Sequence, residues 1–260
     1  MDLPATSVDV CPSSEVLIVI TLELAKLSLE INLIPEKNMI KIFSANGLDN
    51  LGFEERLGLL IDRETTERAD RRLLYRLRNA RLKQSACVED IDYHHPRGLD
   101  KRLMRQIISG RYLNEHLNIL MTGPAGVGKI WLACALAHKA CRDGYGARYL
   151  RLPRLMQELP IAKADGRYPK LLREIAKAEL LILDDWGLMP MNDETRRDLL
   201  EILDDRHNQR STLVTSQLPV DTWHQYLDEP TLADAILDRL VHNAYRINLK
   251  GESMRKKSVT

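Results

Sequence analysis

The chain has 260 residues, with 38 Lys and Arg against 37 Asp and Glu, 44% hydrophobic and 29% charged residues. That length holds one large domain or a catalytic domain with a small appendage, and the composition excludes a disordered, fibrous or uniformly basic protein. With only two Phe and three Trp, aliphatic side chains must fill the interior, which suits helices packed on a sheet better than an aromatic-rich β-sandwich. Cys11, Cys87, Cys134 and Cys141 contain no Cys-x-x-Cys pair and sit beside no regular His spacing. Neither a zinc site nor a disulfide framework is indicated, and a reducing cytoplasm is the expected setting. The apolar stretch 16–34 is interrupted by Glu23, Lys26 and Glu30, so it reads as neither a membrane segment nor a secretion signal.

In chain order, residues 1–51 show no clean period and carry turn-prone Pro12, Pro35 and Asn46-Gly47; this segment is poorly defined. Residues 52–89 read as a small helical N-terminal domain. Leu57, Leu60, Ile61, Ala69, Leu73, Leu74, Leu77 and Ala80 fall at helical spacing, which predicts one or two long amphipathic helices. Between Arg63 and Lys83 eight basic residues face three acids. Two readings stand: a solvated face with Glu67-to-Arg71 support at i,i+4, or a phosphate-contacting surface carried by Arg71, Arg72 and Arg76.

Residues 90–110 read as a connector whose Pro96 and Gly98 mark a boundary. Residues 111–260 then alternate regularly. Strands are expected at 118–122, 148–152, 180–183, 212–215 and 244–247, with helices at 131–141, 168–178 and 194–207 between them. Short apolar strands alternating with helices predict an α/β fold with a parallel sheet covered on both faces.

The first of these strands ends in Gly123-Pro124-Ala125-Gly126-Val127-Gly128-Lys129-Ile130, the spacing of a phosphate-binding loop. Glycines let successive amides converge on phosphate oxygens, the following helix N-terminus adds partial positive charge, and Lys129 reaches the β- and γ-phosphates. The last position departs from the pattern. A Ser or Thr hydroxyl is expected there as a Mg²⁺ ligand, and Ile130 offers no oxygen. About 55 residues on, an apolar strand ends in Asp184-Asp185. In a nucleotide triphosphatase, Asp184 would hold Mg²⁺ and Asp185 would orient or deprotonate the attacking water. The polar end of the next strand, Thr215-Ser216-Gln217, could contact a γ-phosphate or the lytic water. Arg239 has no acid placed to pair with it along its own helix.

These motifs, together with Phe53-Glu-Glu-Arg-Leu-Gly-Leu-Leu, Pro96-Arg-Gly-Leu-Asp100, Tyr149-Leu-Arg-Leu-Pro-Arg-Leu, Thr212-Leu-Val-Thr-Ser-Gln-Leu-Pro and Gly251-Glu-Ser-Met-Arg-Lys, resemble the IstB-type transposition helper ATPases, relatives of the DnaC helicase loaders in the AAA+ superfamily. The resemblance covers about residues 53–257. It implies a five-stranded AAA+ core after a small helical domain, binding of ATP and Mg²⁺, and ATP hydrolysis. It also implies assembly on double-stranded DNA as a homo-oligomer with a shared nucleotide site, and a transposase partner from the same insertion sequence. Carried over, residues 123–130 bind nucleotide, Asp184 is the Mg²⁺ carboxylate and Asp185 the catalytic acid. Gln217 becomes the first sensor, Arg239 a finger toward a neighbour's nucleotide, and Arg255 a second sensor. Ile130 and the stretch before Leu51 depart from the family pattern, so a helicase loader and a nucleotide- and DNA-binding copy without turnover remain alternatives.

Overall fold

The computed structural model describes residues 52–254; the expectations for residues 1–51 and for Arg255 lie outside them. The chain divides into two compact units, Met1–Ala69 and Asp70–Thr260, and the boundary falls within a single helix, α1 (Phe53–Ala80). In the first unit the described part of α1 carries ion pairs at i,i+4, Arg63 with Glu67 at 3.0 Å and Arg68 with Glu64 at 2.7 Å, the arrangement that supports a charged helix.

The second unit is built on five strands: β1 (Asn118–Thr122), β2 (Ala147–Arg151), β3 (Leu180–Trp186), β4 (Ser211–Ser216) and β5 (Ala244–Asn248). They lie in the order β2-β3-β4-β1-β5, each pair parallel. Four strands match the sequence expectation to within a residue, whereas β3 runs three residues further, through Asp184 and Asp185 into Trp186. Strand β1 is buried throughout and β3 at all but Asp185, because both faces of the sheet are covered there, whereas the outer strands β2 and β5 carry Arg148, Arg151 and Arg246 and are less buried. Ile119 and Met121 of β1 enter one core and Leu120 the other, and in β3 Leu180 and Ile182 likewise oppose Leu181 and Leu183, the period of two that a pleated strand imposes.

One face is covered by α2 (Lys101–Ile108), α3 (Arg111–Asn114), α4 (Lys129–Arg142) and the end of α1. Helix α4 presents Ala133, Cys134, Ala137, Ala140 and Cys141, all fully or almost fully buried; small side chains let its backbone approach the sheet closely. Leu73, Leu77 and Ala80 of α1 pack into the same core, and Arg76 donates its Nε–H to the Cys141 carbonyl at 2.8 Å. Residues 90–110 belong to this layer as well, with Ile91, Met104 and Ile107 buried in it and Asp100 capping α2 by accepting from the Arg102 amide.

The other face is covered by α5 (Leu152–Ala164), α6 (Tyr168–Lys177), α7 (Asp193–Asp204), α8 (Trp223–Leu227) and α9 (Pro230–Val241). Trp186 and Trp223 pack with ring centroids 4.9 Å apart. Asn192 caps α7 by accepting from the Thr195 amide, and Glu229 does the same for α9 through the Leu232 amide. Beneath α6, the fully buried Arg206 donates to the carbonyls of Ile175, Ala178 and Ser211 and to the Thr212 hydroxyl. It ties the end of α6 to the start of β4. Since all five strands point the same way, the loops after β1, β3 and β4 converge at one edge of the sheet, where ligands of open parallel sheets bind.

Candidate nucleotide-binding site

The phosphate loop leaves β1 at Thr122 and re-enters regular structure at Lys129, the first residue of α4. Its turns need backbone that side chains disfavour: Gly126 has φ 85° and Gly128 φ 93°. Space is also short. A Cβ on Gly126 would collide with Ser253 Oγ, and one on Gly128 would lie 2.7 Å from Arg97 Nη1. Lys129 is 9% exposed, and its ammonium donates to the carbonyls of Gly123 at 2.6 Å and Pro124 at 2.8 Å. The lysine is thus folded over the loop, its charge at the mouth of the amide cradle.

Next to it, the end of β3 supplies the paired acids. Asp184 is buried, and its carboxylate accepts from the Tyr149 hydroxyl and, at 2.5 Å, from the Thr215 hydroxyl. Burial and the adjacent Asp184 push the Tyr149 phenol far above its ordinary range, so it remains a donor that fixes the carboxylate. Asp185 follows at a register irregularity between Leu183 and Trp186, with φ 64°. That local bend turns its side chain out of the strand's alternation. Its carboxylate meets the guanidinium of Arg151, Nε at 2.8 Å and Nη2 at 2.7 Å, and this pairing holds the Arg151 guanidinium above its usual pKa.

A cavity of about 600 Å³ is lined by Gly126, Gly128, Lys129, Ile130, Asp184, Asp185 and Gln217 together. Residues expected from the sequence to act on one nucleotide therefore share one cleft. A loop whose amides line a cleft that also holds a buried lysine suits a polyphosphate. Asp184 lies in the same cleft as a carboxylate able to serve Mg²⁺, and Ile130, which packs partly against the core of α4, brings no oxygen to it. Gln217 is exposed at the rim just beyond β4. Ser216 is buried, donating to the Trp186 carbonyl and accepting from the Leu218 amide; it holds the loop after β4 to the end of β3.

Arg239 lies elsewhere. The side-chain amide of Asn118, at the start of β1, donates to the carbonyls of Arg239 and Leu240, whereas the phosphate loop follows the strand's other end. Five residues of strand span about 13 Å, so Arg239 belongs to the edge of the sheet opposite its own loop. The fold also brings it acids that helix spacing does not reveal: Asp204 of α7 accepts from Arg239 Nε at 2.8 Å, and the adjacent Asp238 on its own helix lies 3.6 Å from Nη1. Of the arginines on α1, Arg71 and Arg72 are exposed, whereas Arg76 is partly buried on the Cys141 carbonyl.

Three site residues escaped the sequence reading: Arg97, Tyr149 and Arg151. Tyr149 and Arg151 share one side of β2, and Arg151 is in register with Asp184, yet nothing in their spacing announces carboxylates more than thirty residues away. Arg97 lay in a segment read as a connector and as one of the motifs that carry the family resemblance, with no role given to it.

The five-stranded parallel sheet, the phosphate loop entering α4 and the paired acids ending β3 define a P-loop protein of the AAA+ fold. Solved structures agree: the chain superimposes on DnaI with TM-score 0.55 at 23% identity, covering 63% of this chain and 90% of that one. It matches the DnaC helicase loader with TM-score 0.50 at 20% identity, covering 61% and 95%. Within that fold the chain belongs to the IstB-like ATP binding protein family, whose sequence profile matches residues 24–260. It is 54% identical over 222 residues to the insertion sequence ATP-binding protein y4pL of Sinorhizobium fredii, covering 84% of this chain and 91% of that protein.

Proposed function

We propose that this protein is an ATP-dependent, DNA-binding helper of insertion-sequence transposition, which assembles on target DNA and directs a partner transposase. The observation that carries the reading is the single cleft in which Lys129 and the loop amides face Asp184 and Asp185; family membership adds the insertion-sequence setting.

The chain's own residues divide the work. The loop amides and Lys129 hold the polyphosphate. Asp184, fixed by two hydroxyl donors, would hold Mg²⁺, which when bound neutralises phosphate charge. Asp185 orients water or accepts its proton, while Arg151 holds its Oδ2. Gln217 faces the terminal phosphate, and Arg239 serves a neighbouring subunit.

A second reading is favoured by Ile130: a nucleotide- and DNA-binding protein that assembles without turnover. Titration with a fluorescent ATP analogue, followed by DNA band shifts with and without ATP, tests the main proposal. Wild type should bind nucleotide, Lys129→Ala should lose it, and the shift should require ATP. A DNA shift indifferent to nucleotide and to Lys129→Ala would remove the ATP-dependent helper. Capture of a replicative helicase in place of the transposase would move the chain to the loader branch.

A further inference from the structure

Arg97 is 1% exposed and lines the nucleotide cavity beside Lys129. Its Nη1 donates to the Val127 carbonyl of the phosphate loop at 3.3 Å and lies 3.2 Å from Met254 Sδ, while its Nη2 donates to the Asp92 carbonyl at 3.0 Å. Nε is buried without any partner. Every one of these partners is uncharged. Among the described residues no carboxylate forms a salt bridge with this guanidinium. Asp92 acts on it only through space, its Oδ1 being taken by the amides of His94 and His95.

A cation removed from water is unfavourable unless hydrogen bonds or a counter-charge replace the lost hydration. The other fully buried arginine shows what a purely structural solution looks like. Arg206 places four of its five N–H groups on oxygens, Nε among them, and lies apart from the nucleotide cavity. Arg97 instead leaves donors unused, against the loop that a polyphosphate would enter.

We infer that Arg97 is a second cation of the nucleotide site, with the polyphosphate of the bound nucleotide as its counter-charge. The inference rests on reading this cleft as a nucleotide site and adds a residue that the loop motif does not contain. Two charges at a few ångströms in a half-enclosed cleft interact strongly enough to change affinity at least about tenfold. Arg97→Gln keeps donors for the Val127 and Asp92 carbonyls while removing the charge, and Arg97→Lys keeps the charge.

The test compares affinities of the full chain for ATP, ADP, GTP and inorganic tripolyphosphate, with the melting temperature of each ligand-free variant as the readout of structure. Arg97→Gln should lose about tenfold or more for all four ligands, with a ligand-free melting temperature at or near that of wild type. Arg97→Lys should recover most of the affinity. Unchanged affinity in Arg97→Gln would overturn the inference, as would loss confined to nucleotides with tripolyphosphate unaffected, which would make Arg97 a base contact. A fall in ligand-free melting temperature in both variants, with no recovery by lysine, would make it a structural pin. Wild type that binds none of the four would defeat the nucleotide reading itself, a result separate from any of these.

Discussion

At the scale of single residues, the position after Lys129 decides how far the site can act. Ile130 lines the cavity and packs partly against the core, and it stands at the motif position where a hydroxyl is expected as a Mg²⁺ ligand. If nucleotide binding relies on Lys129 and the amides, as proposed, it should survive; placement of Mg²⁺ should suffer. Ile130→Thr is therefore expected to raise steady-state ATP hydrolysis about tenfold or more, each 1.4 kcal/mol of barrier being a factor of ten, with little change in affinity for a fluorescent nucleotide. Equal turnover in the two proteins would mean that metal placement is not limiting. The sequence made this residue legible because a motif with fixed spacing exposes any departure. The same spacing is silent on Arg151 and Tyr149. Their roles arise from strand register, which brings side chains of β2 beside carboxylates of β3, and neither strand's own pattern encodes which neighbour it will take.

Among elements, the strands were the easiest to read. Short strands alternating with helical stretches mark a parallel sheet, and β1, β2, β4 and β5 each begin and end within a residue of the expected bounds. Helix α5 was not anticipated as an element: it begins at Leu152 directly after β2 and contains Pro153 and Pro160, residues that normally signal a break. Pro153 is harmless in the first turn, where the missing amide has no partner to lose. For α1, the continuous helix from Phe53 to Ala80 keeps both readings of its basic face open and refines the experiment that separates them. Arg76 is held by the Cys141 carbonyl, so replacing it would disturb packing as well as charge. Arg71→Glu with Arg72→Glu is the cleaner variant, both residues being exposed. If this face meets phosphates, wild-type DNA affinity should fall steeply with salt and show little sequence preference. The double variant should then lose the band shift while its circular dichroism and nucleotide affinity stay unchanged. Undiminished DNA affinity would return α1 to a solvated face.

For the whole molecule, the separation of Arg239 from its own phosphate loop carries the strongest consequence. The two lie at opposite edges of one sheet, so Arg239 can stabilise charge on a transferring phosphoryl group only across an interface, where a second chain presents its cleft. Within one chain Arg239 is paired with Asp204 and Asp238, and a monomer should be nearly silent. Nucleotide and DNA would each favour the assembled state, which makes their affinities reciprocally coupled. In the Ile130→Thr background, Arg239→Ala should keep nucleotide binding and lose DNA-stimulated hydrolysis, while Lys129→Ala should lose both. Mixing the two inactive proteins should restore part of the activity, because an intact cleft from one chain can meet an intact Arg239 from the other. Mixed oligomers that form, as shown by differential tagging, yet recover no hydrolysis would exclude a site shared in this way and leave Arg239 as the surface partner of Asp204.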